Sequence, residues 1–362
     1  MTPQTATIAP HSKDRKRLIR RVTLDNSQRL RHTFQLAFVL LNAWLGIQFY
    51  LWFRFFERGG VGLQVPRPAG AEGWLPIAGL MNFKVFIVTG HVPAIHPAAM
   101  FLFMAFLAMS LLAKKSFCSW LCPVGTFSEV LAGIGKKIFG RNLPLPRWAD
   151  LPLRGLKYLL LGFFVLIIGS MSAAAIAEFM HTPYGLIADV KMLNFFREMS
   201  QTAAIVLAAL VILSILVENF WCRYLCPYGA LMGLASLLSP LKIRRNPQAC
   251  IDCAKCARAC PAALPVDKLV KISSVECTAC MACIASCPAD GALRFSLAPS
   301  RAAAQPRFRQ PVTPLALAAI IAFIFLGTVL VARATNHWQT NVPRLVYQEL
   351  VPNADQATHP GY

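Results

Sequence analysis

Charge is scarce in this chain of 362 residues: only 14% are Asp, Glu, Lys or Arg, and the mean hydropathy is +0.52. That excludes an ordinary soluble protein and points to several membrane spans. Acidic residues are the scarcer kind, 16 against 36 Lys and Arg, for a formal net charge of +20. Also missing are a C-x-x-C-H haem site, a P-loop and a G-x-G-x-x-G after a strand, which removes c-type haem and the common nucleotide cradles. No cysteine is spare. Eight of the twelve fall in two long motifs and four in two short ones, leaving none for a structural disulfide. Arg20-Arg21 resembles a twin-arginine export signal. The apolar run that follows begins about a dozen residues later, is of membrane length and lacks a small-residue cleavage site, so that reading is set aside.

What is present is decided by the eight cysteines. Cys250, Cys253, Cys256 and Cys260-Pro261 are spaced C-x2-C-x2-C-x3-C-P, and Cys277, Cys280, Cys283 and Cys287-Pro288 repeat the spacing. This pattern holds a pair of [4Fe–4S] clusters, with the fourth cysteine of each run serving the other cluster. The expected sets are Cys250, Cys253, Cys256 and Cys287 for cluster 1, and Cys277, Cys280, Cys283 and Cys260 for cluster 2. A zinc ribbon needs C-x2-C pairs and four ligands per metal, which this triple spacing does not supply. The segment 242–298 therefore reads as a small α+β bacterial-type ferredoxin domain. It has too little apolar sequence for a core of its own, so metal binding should be coupled to its folding. Thiolate clusters suit a reducing compartment.

Five segments are expected to cross a bilayer: Phe34–Phe53, His96–Ala113 (beginning nearer His91), Leu156–Ala177, Thr202–Trp221 and Pro314–Ala332. Each is near the ~20 residues needed for a ~30 Å core. With the N-terminus inside, the inner segments carry 28 of the 36 Lys and Arg. The positive-inside rule then gives a cytoplasmic N-terminus and ferredoxin domain, a periplasmic C-terminus and residence in the inner membrane. It also explains the basic charge without nucleic acid. The expected layout is a cytoplasmic basic tail at 1–32 and a membrane domain with four helices at 33–241. After the ferredoxin domain come a linker at 299–313, a fifth helix at 314–332 and a periplasmic tail at 333–362 with little structure.

The membrane part repeats internally. Pro76 to Lys84 precedes a span leading to Cys118-Ser-Trp-Leu-Cys122-Pro123-Val-Gly125. Pro183 to Lys191 precedes a span leading to Cys222-Arg-Tyr-Leu-Cys226-Pro227-Tyr-Gly229. Parallel repeats commonly pack about an axis along the membrane normal, which would bring the two C-x3-C-P motifs together. Within each motif the cysteines share a helical face, and the proline that follows can start a new helix. Each motif should be a corner leading into an amphipathic helix on the cytoplasmic interface. Cys118, Cys122, Cys222 and Cys226 then form a third metal centre, a redox dithiol pair or a packing cluster; spacing does not choose among these.

A quinol releases two protons with its two electrons, so its site needs titratable groups at an interface. Lys84, His91, His96, His181 and Lys191 are the candidates, with Glu72, Glu178, Tyr184 and Asp189 nearby in sequence; the alternative is ordinary solvated loop residues. Trp44, Trp52, Trp74, Trp120 and Trp221 read as interfacial anchors.

Spans, paired C-x3-C-P corners and a two-cluster ferredoxin together resemble the NapH/NosR-type membrane polyferredoxins. The segments Gly73–Asn82, Lys115–Gly125 and Trp221–Gly233 are most similar to YccM-type electron transport proteins. The resemblance covers roughly residues 33–350. It implies electron transfer at the cytoplasmic membrane, often from the quinone pool toward a redox partner protein, as a quinol dehydrogenase or an electron-transfer subunit. The chain carries no segment like the large flavin-binding domain of NosR-type proteins. A cytoplasmic-face cupric reductase and a redox assembly or regulatory protein remain as alternatives.

Overall fold

The structure is a computed structural model that describes residues 25–143, 145–297 and 311–360. Most of the expected basic tail, most of the expected linker and Tyr362 lie outside these residues.

Three helices among the described residues are long and apolar enough to cross a membrane: Ser27–Glu57, Trp148–Ser170 and Pro314–Ala334. A fourth span results if the pair Ala188–Arg197 and Gln201–Leu216, bent by 82°, counts as one. The expected second span is the 17-residue helix Pro97–Ala113, preceded by another apolar helix, Pro76–Thr89. The chain is thus a multi-pass membrane protein carrying a small α+β iron–sulfur domain. The expected third span, Leu156–Ala177, lies further toward the N-terminus than the hydropathy suggested, in the 24-residue helix Arg147–Ser170. It stops at Ser170, and Ser172 caps a new helix, Ala173–His181, by accepting a hydrogen bond from the Ala175 N–H. That cap satisfies a backbone donor which a continuous helix would have bonded internally.

The chain forms two compact units. One comprises residues 1–38, 107–157 and 214–323; the other comprises 39–106, 158–213 and 324–362.

The first unit contains all twelve cysteines. Its ferredoxin segment is closed by two antiparallel strands, β1 (Lys242–Arg245) and β2 (Leu293–Ser296), with Ile243 opposite Phe295. Ile243, Ile272 and Phe295 are buried there. Proline at the first helical position starts Pro123–Phe139 and Pro227–Ala235, since its missing N–H is one the helix start would leave unbonded. The first of these helices presents Phe127, Val130, Ile134 and Ile138 outward, an apolar stripe fit for a lipid interface. Its other side is tied to helix Ser27–Glu57 by buried Arg31, which grips Glu129 through both guanidinium ends at 2.6 and 2.7 Å.

The second unit has an aromatic core in which Trp52, Phe53, Phe56 and Tyr347 are buried together. Tyr347 lies on a short helix, Arg344–Leu350, in the tail that composition marked as unstructured. Its ring meets Trp52 edge-on at 5.0 Å. Trp52 is therefore a core residue and not an interfacial anchor, whereas Trp44 and Trp74 are exposed as an anchor requires.

Candidate functional site

The cysteine loops of the ferredoxin segment share one backbone design. Asp252 and Ala254 flank Cys253 with φ of 55° and 56°; Ala279 and Met281 flank Cys280 with φ of 52° and 57°. Left-handed residues alternating with right-handed ones turn successive N–H groups to one side, a concavity that suits anions such as iron–sulfur clusters. The Ala279 N–H bonds the Cys277 sulfur, and the Ala257 N–H bonds that of Cys256. Cys250, Cys253, Cys256 and Cys287 line a single cavity. The charges of Cys277 and Cys280 bear on Cys260. Cys287 of the second run thus lies with the cysteines of the first, and Cys260 of the first lies near those of the second. No disulfide uses any of the twelve. Among the described residues no three His, Cys, Asp or Glu side chains converge as ligands of a single ion would. Thiols lining a cavity, with N–H groups turned inward, fit a larger anionic cluster.

The two C-x3-C-P corners come together. Cys118 feels the charge of Cys122 and Cys226, and Cys122 feels that of Cys222 and Cys226. Burial pushes Cys118, Cys122 and Cys222 up to about 12, so these three thiols keep their protons unless a metal cation displaces them. Lys115, itself buried, is drawn toward its charged form against the burial penalty by Cys118, Glu276, Cys226 and Cys222. Each second cysteine stands at the N-cap of a helix, but only Cys226 caps it with its side chain: the Gly229 N–H donates to the Cys226 sulfur at 3.2 Å. A buried ammonium thus lies among thiols of both corners.

Glycine is required at one of the matched positions. A Cβ on Gly125 would stand 2.3 Å from the Cys118 carbonyl oxygen, whereas one on Gly229 would meet the Cys226 sulfur and Lys115 Nζ at an ordinary 3.5 Å.

The first corner is also bonded to the ferredoxin loop. Ser119 Oγ donates to the Thr278 carbonyl at 2.6 Å, Trp120 Nε1 to Ala279 at 3.2 Å and Gln28 Nε2 to Cys280 at 2.9 Å. Lys114 Nζ reaches the Ser274 carbonyl, and Lys157 holds Glu276 with both carboxylate oxygens at 2.6 and 2.7 Å. Trp120 is fully buried, so it too is no interfacial anchor. In the second corner, Tyr224 and Arg223 turn instead to Asp150, at 2.6 and 2.8 Å.

The proposed quinol-site residues lie in the second unit and are not gathered at one point. Lys84 donates to the carbonyls of Ile168, Gly169 and Met171, at the end of a helix where a cation is favoured. His91 and His181 are exposed, and Lys191 is half-buried. His96 is fully buried, with Nε2 donating to the Gly185 carbonyl and Nδ1 3.3 Å from Glu72. Around it is a network centred on Arg67, which no motif marked. Arg67 donates to Glu72 at 2.8 Å and to Asp189 at 2.6 Å, and both carboxylates are fully buried. Burial would raise the Glu72 carboxyl, but Arg67, with His96 and Thr340, outweighs it and holds the group down to about 2. Asn82 and Asp189 occupy matched positions of the sequence repeat, and the Asn82 amide donates to the carbonyls of Ile95 and His96.

Comparison with known proteins follows the same division. The family described as "4Fe-4S binding domain" matches residues 95–142 and again 199–246, one copy per C-x3-C-P corner. The family described as "4Fe-4S dicluster domain" matches residues 242–296. The "Putative electron transport protein YccM" of Escherichia coli (strain K12) is 49% identical over 335 residues, covering 92% of this chain and 93% of that protein. The chain belongs to the YccM-type family of membrane polyferredoxins. More distant relatives of this YccM-type chain share only part of it. The "Ferredoxin-type protein NapH" of E. coli is 26% identical over 48% of this chain and 57% of that protein. The "Regulatory protein NosR" of Pseudomonas aeruginosa is 31% identical over 44% of this chain and 22% of that protein. No solved structure matches. The YccM-type chain is a membrane-associated iron–sulfur protein of electron transfer.

Proposed function

We propose that this chain is a membrane electron relay, taking electrons from quinol and passing them to a redox partner protein through three cysteine-held centres. Cys250, Cys253, Cys256 and Cys287 hold one [4Fe–4S] cluster, and Cys277, Cys280, Cys283 and Cys260 hold the other. Cys118, Cys122, Cys222 and Cys226 hold a third metal centre. Such groups supply reversible one-electron chemistry at nearly fixed geometry. The protein's own residues supply thiolate ligands, inward N–H groups and, at the third site, the buried charge of Lys115. The observation that carries the proposal is the meeting of four thiols from two distant segments around that lysine. The match of the iron–sulfur family description to each corner supports the same reading.

The relay spans the inner membrane five times, with the N-terminus and ferredoxin domain cytoplasmic and the C-terminus periplasmic. The distribution of Lys and Arg supports that sidedness. Proton release from quinol falls to titratable groups of the second unit, where His96 and Glu72 are the paired candidates. The test is a reductive titration of the purified protein with menadiol, followed by EPR with iron and sulfide counts. Reduction of the clusters and iron clearly above the about eight atoms of two clusters are the expected results. Clusters left oxidised by menadiol would sink the quinol reading, and a count of about eight would sink the third centre. An alkaline-phosphatase fusion at Tyr362 should be active; a silent one would reverse the topology.

A further inference from the structure

The bonds between the first corner and the ferredoxin loop fall between ligand cysteines on both sides. Ser119 and Trp120 lie between Cys118 and Cys122, and Thr278 and Ala279 lie between Cys277 and Cys280. The Ser119–Thr278 bond, at 2.6 Å, therefore leaves one peptide link to Cys118 on one side and one to Cys277 on the other. The Trp120–Ala279 bond, at 3.2 Å, joins a fully buried indole two residues from either corner cysteine to the residue beside Cys280. Electron tunnelling falls off exponentially with distance, and it falls off least where covalent and hydrogen bonds connect the two ends. In the Cys250–Cys256 loop, Arg245 donates to Asp252 and Arg258 to the Cys253 carbonyl, both bonds within the ferredoxin segment. Cys256 and Cys283 lie close enough for the charge of one to bear on the other, which joins the two ferredoxin sets to each other.

Resting on the three-centre reading above, we infer that Ser119 and Trp120 form the electron-coupling contact of the relay. The set Cys260, Cys277, Cys280 and Cys283 is then the direct partner of the four-cysteine centre, and the set Cys250, Cys253, Cys256 and Cys287 comes after it. In each transfer one electron leaves one centre, which is oxidised by one unit, and its neighbour is reduced by one. No atom or proton is exchanged, and the electrons originate in quinol. Trp120 acts here as a positioning residue, since it touches the polypeptide that carries the ligands and not the centres themselves.

Magnetic coupling between reduced centres provides a readout that does not depend on turnover. EPR of the dithionite-reduced protein should show the signal of the four-cysteine centre split by its neighbour. The splitting should be lost in Cys280→Ser and retained in Cys253→Ser; Cys260→Ser serves where Cys280→Ser does not accumulate. Splitting lost in Cys253→Ser and kept in the other two would overturn the order. Trp120→Phe keeps a six-membered aromatic ring and loses the pyrrole ring with its N–H donor. It should keep the wild-type iron count and full reduction by dithionite, while menadiol reduces its ferredoxin clusters more slowly. A wild-type rate in Trp120→Phe would remove that residue from the contact. If no signal beyond the two ferredoxin clusters is found, the three-centre reading fails and takes this order with it. If menadiol leaves wild type oxidised, only the quinol assignment fails, because the splitting still decides the order.

Discussion

The two C-x3-C-P corners share their cysteines and differ in what their intervening residues do. Cys118 and Cys122 match Cys222 and Cys226, and in both corners the second cysteine stands directly before a helix that begins with proline. Between the cysteines, however, Ser119 and Trp120 reach the ferredoxin loop, while Arg223 and Tyr224 reach Asp150. The same split appears in the second unit, where the matched positions Asn82 and Asp189 hold a pair of carbonyls and a guanidinium respectively. A duplicated segment can keep its cysteines and still specialise the residues between them, because docking needs only one copy.

The sharpest break of this comparison is at the ligands. If the corners share one centre, Cys118→Ser and Cys222→Ser should each remove all the iron beyond the ferredoxin clusters. If the corners were independent sites, each variant would remove only part. Next is Asp189→Asn, which makes the second copy chemically like the first and leaves Arg67 with one fewer carboxylate. Removing a partner from a buried ion pair costs about 3 kcal/mol, to be read as a fall in the melting temperature. The same network has a pH signature. The carboxyl of Glu72 lies below its ordinary value in the folded chain, so its contribution is fully present above about 4.5. It should be lost as pH falls from there toward about 2, and Glu72→Gln should flatten that part of the stability profile. The glycines come third. Gly125→Ala forces a side chain against the Cys118 carbonyl and should cost about 1–3 kcal/mol, as overpacking does. Gly229→Ala should lie within about 0.5 kcal/mol of wild type in the same denaturation assay. A modest effect is also expected of Tyr224→Phe. It removes one hydrogen bond from Asp150, worth about 1 kcal/mol, and should leave menadiol reduction of the clusters at the wild-type rate, unlike Trp120→Phe.

The two ferredoxin loops were legible because iron–sulfur ligation fixes spacing along the chain, and Cys250 to Cys287 carry that spacing openly. The meeting of Cys118, Cys122, Cys222 and Cys226 was legible through the repeat. The docking role of Trp120 was not. A tryptophan near a membrane end serves equally as a lipid anchor or as a buried donor, and only its bond to Ala279 separates the two. Trp52 was misread for the same reason. Arg67 sits in a loop with Pro66 and Pro68, where an isolated arginine normally faces water, and its two carboxylates lie at distant positions in sequence. The helix Arg344–Leu350 was hidden because its anchoring residue, Tyr347, finds its apolar partners far away in sequence.

The left-handed residues beside Cys253 and Cys280 bear on the life of the protein in the cell. Asp252, Ala254, Ala279 and Met281 each carry a side chain in a conformation that ordinarily belongs to glycine, at roughly 1–2 kcal/mol apiece. Such strain persists only where the surroundings over-determine it, so an iron-starved copy would tend to unwind these loops and expose them to proteolysis. Abundance of this chain should then follow the iron supply after translation, and a short cellular half-life should mark the copies made without it.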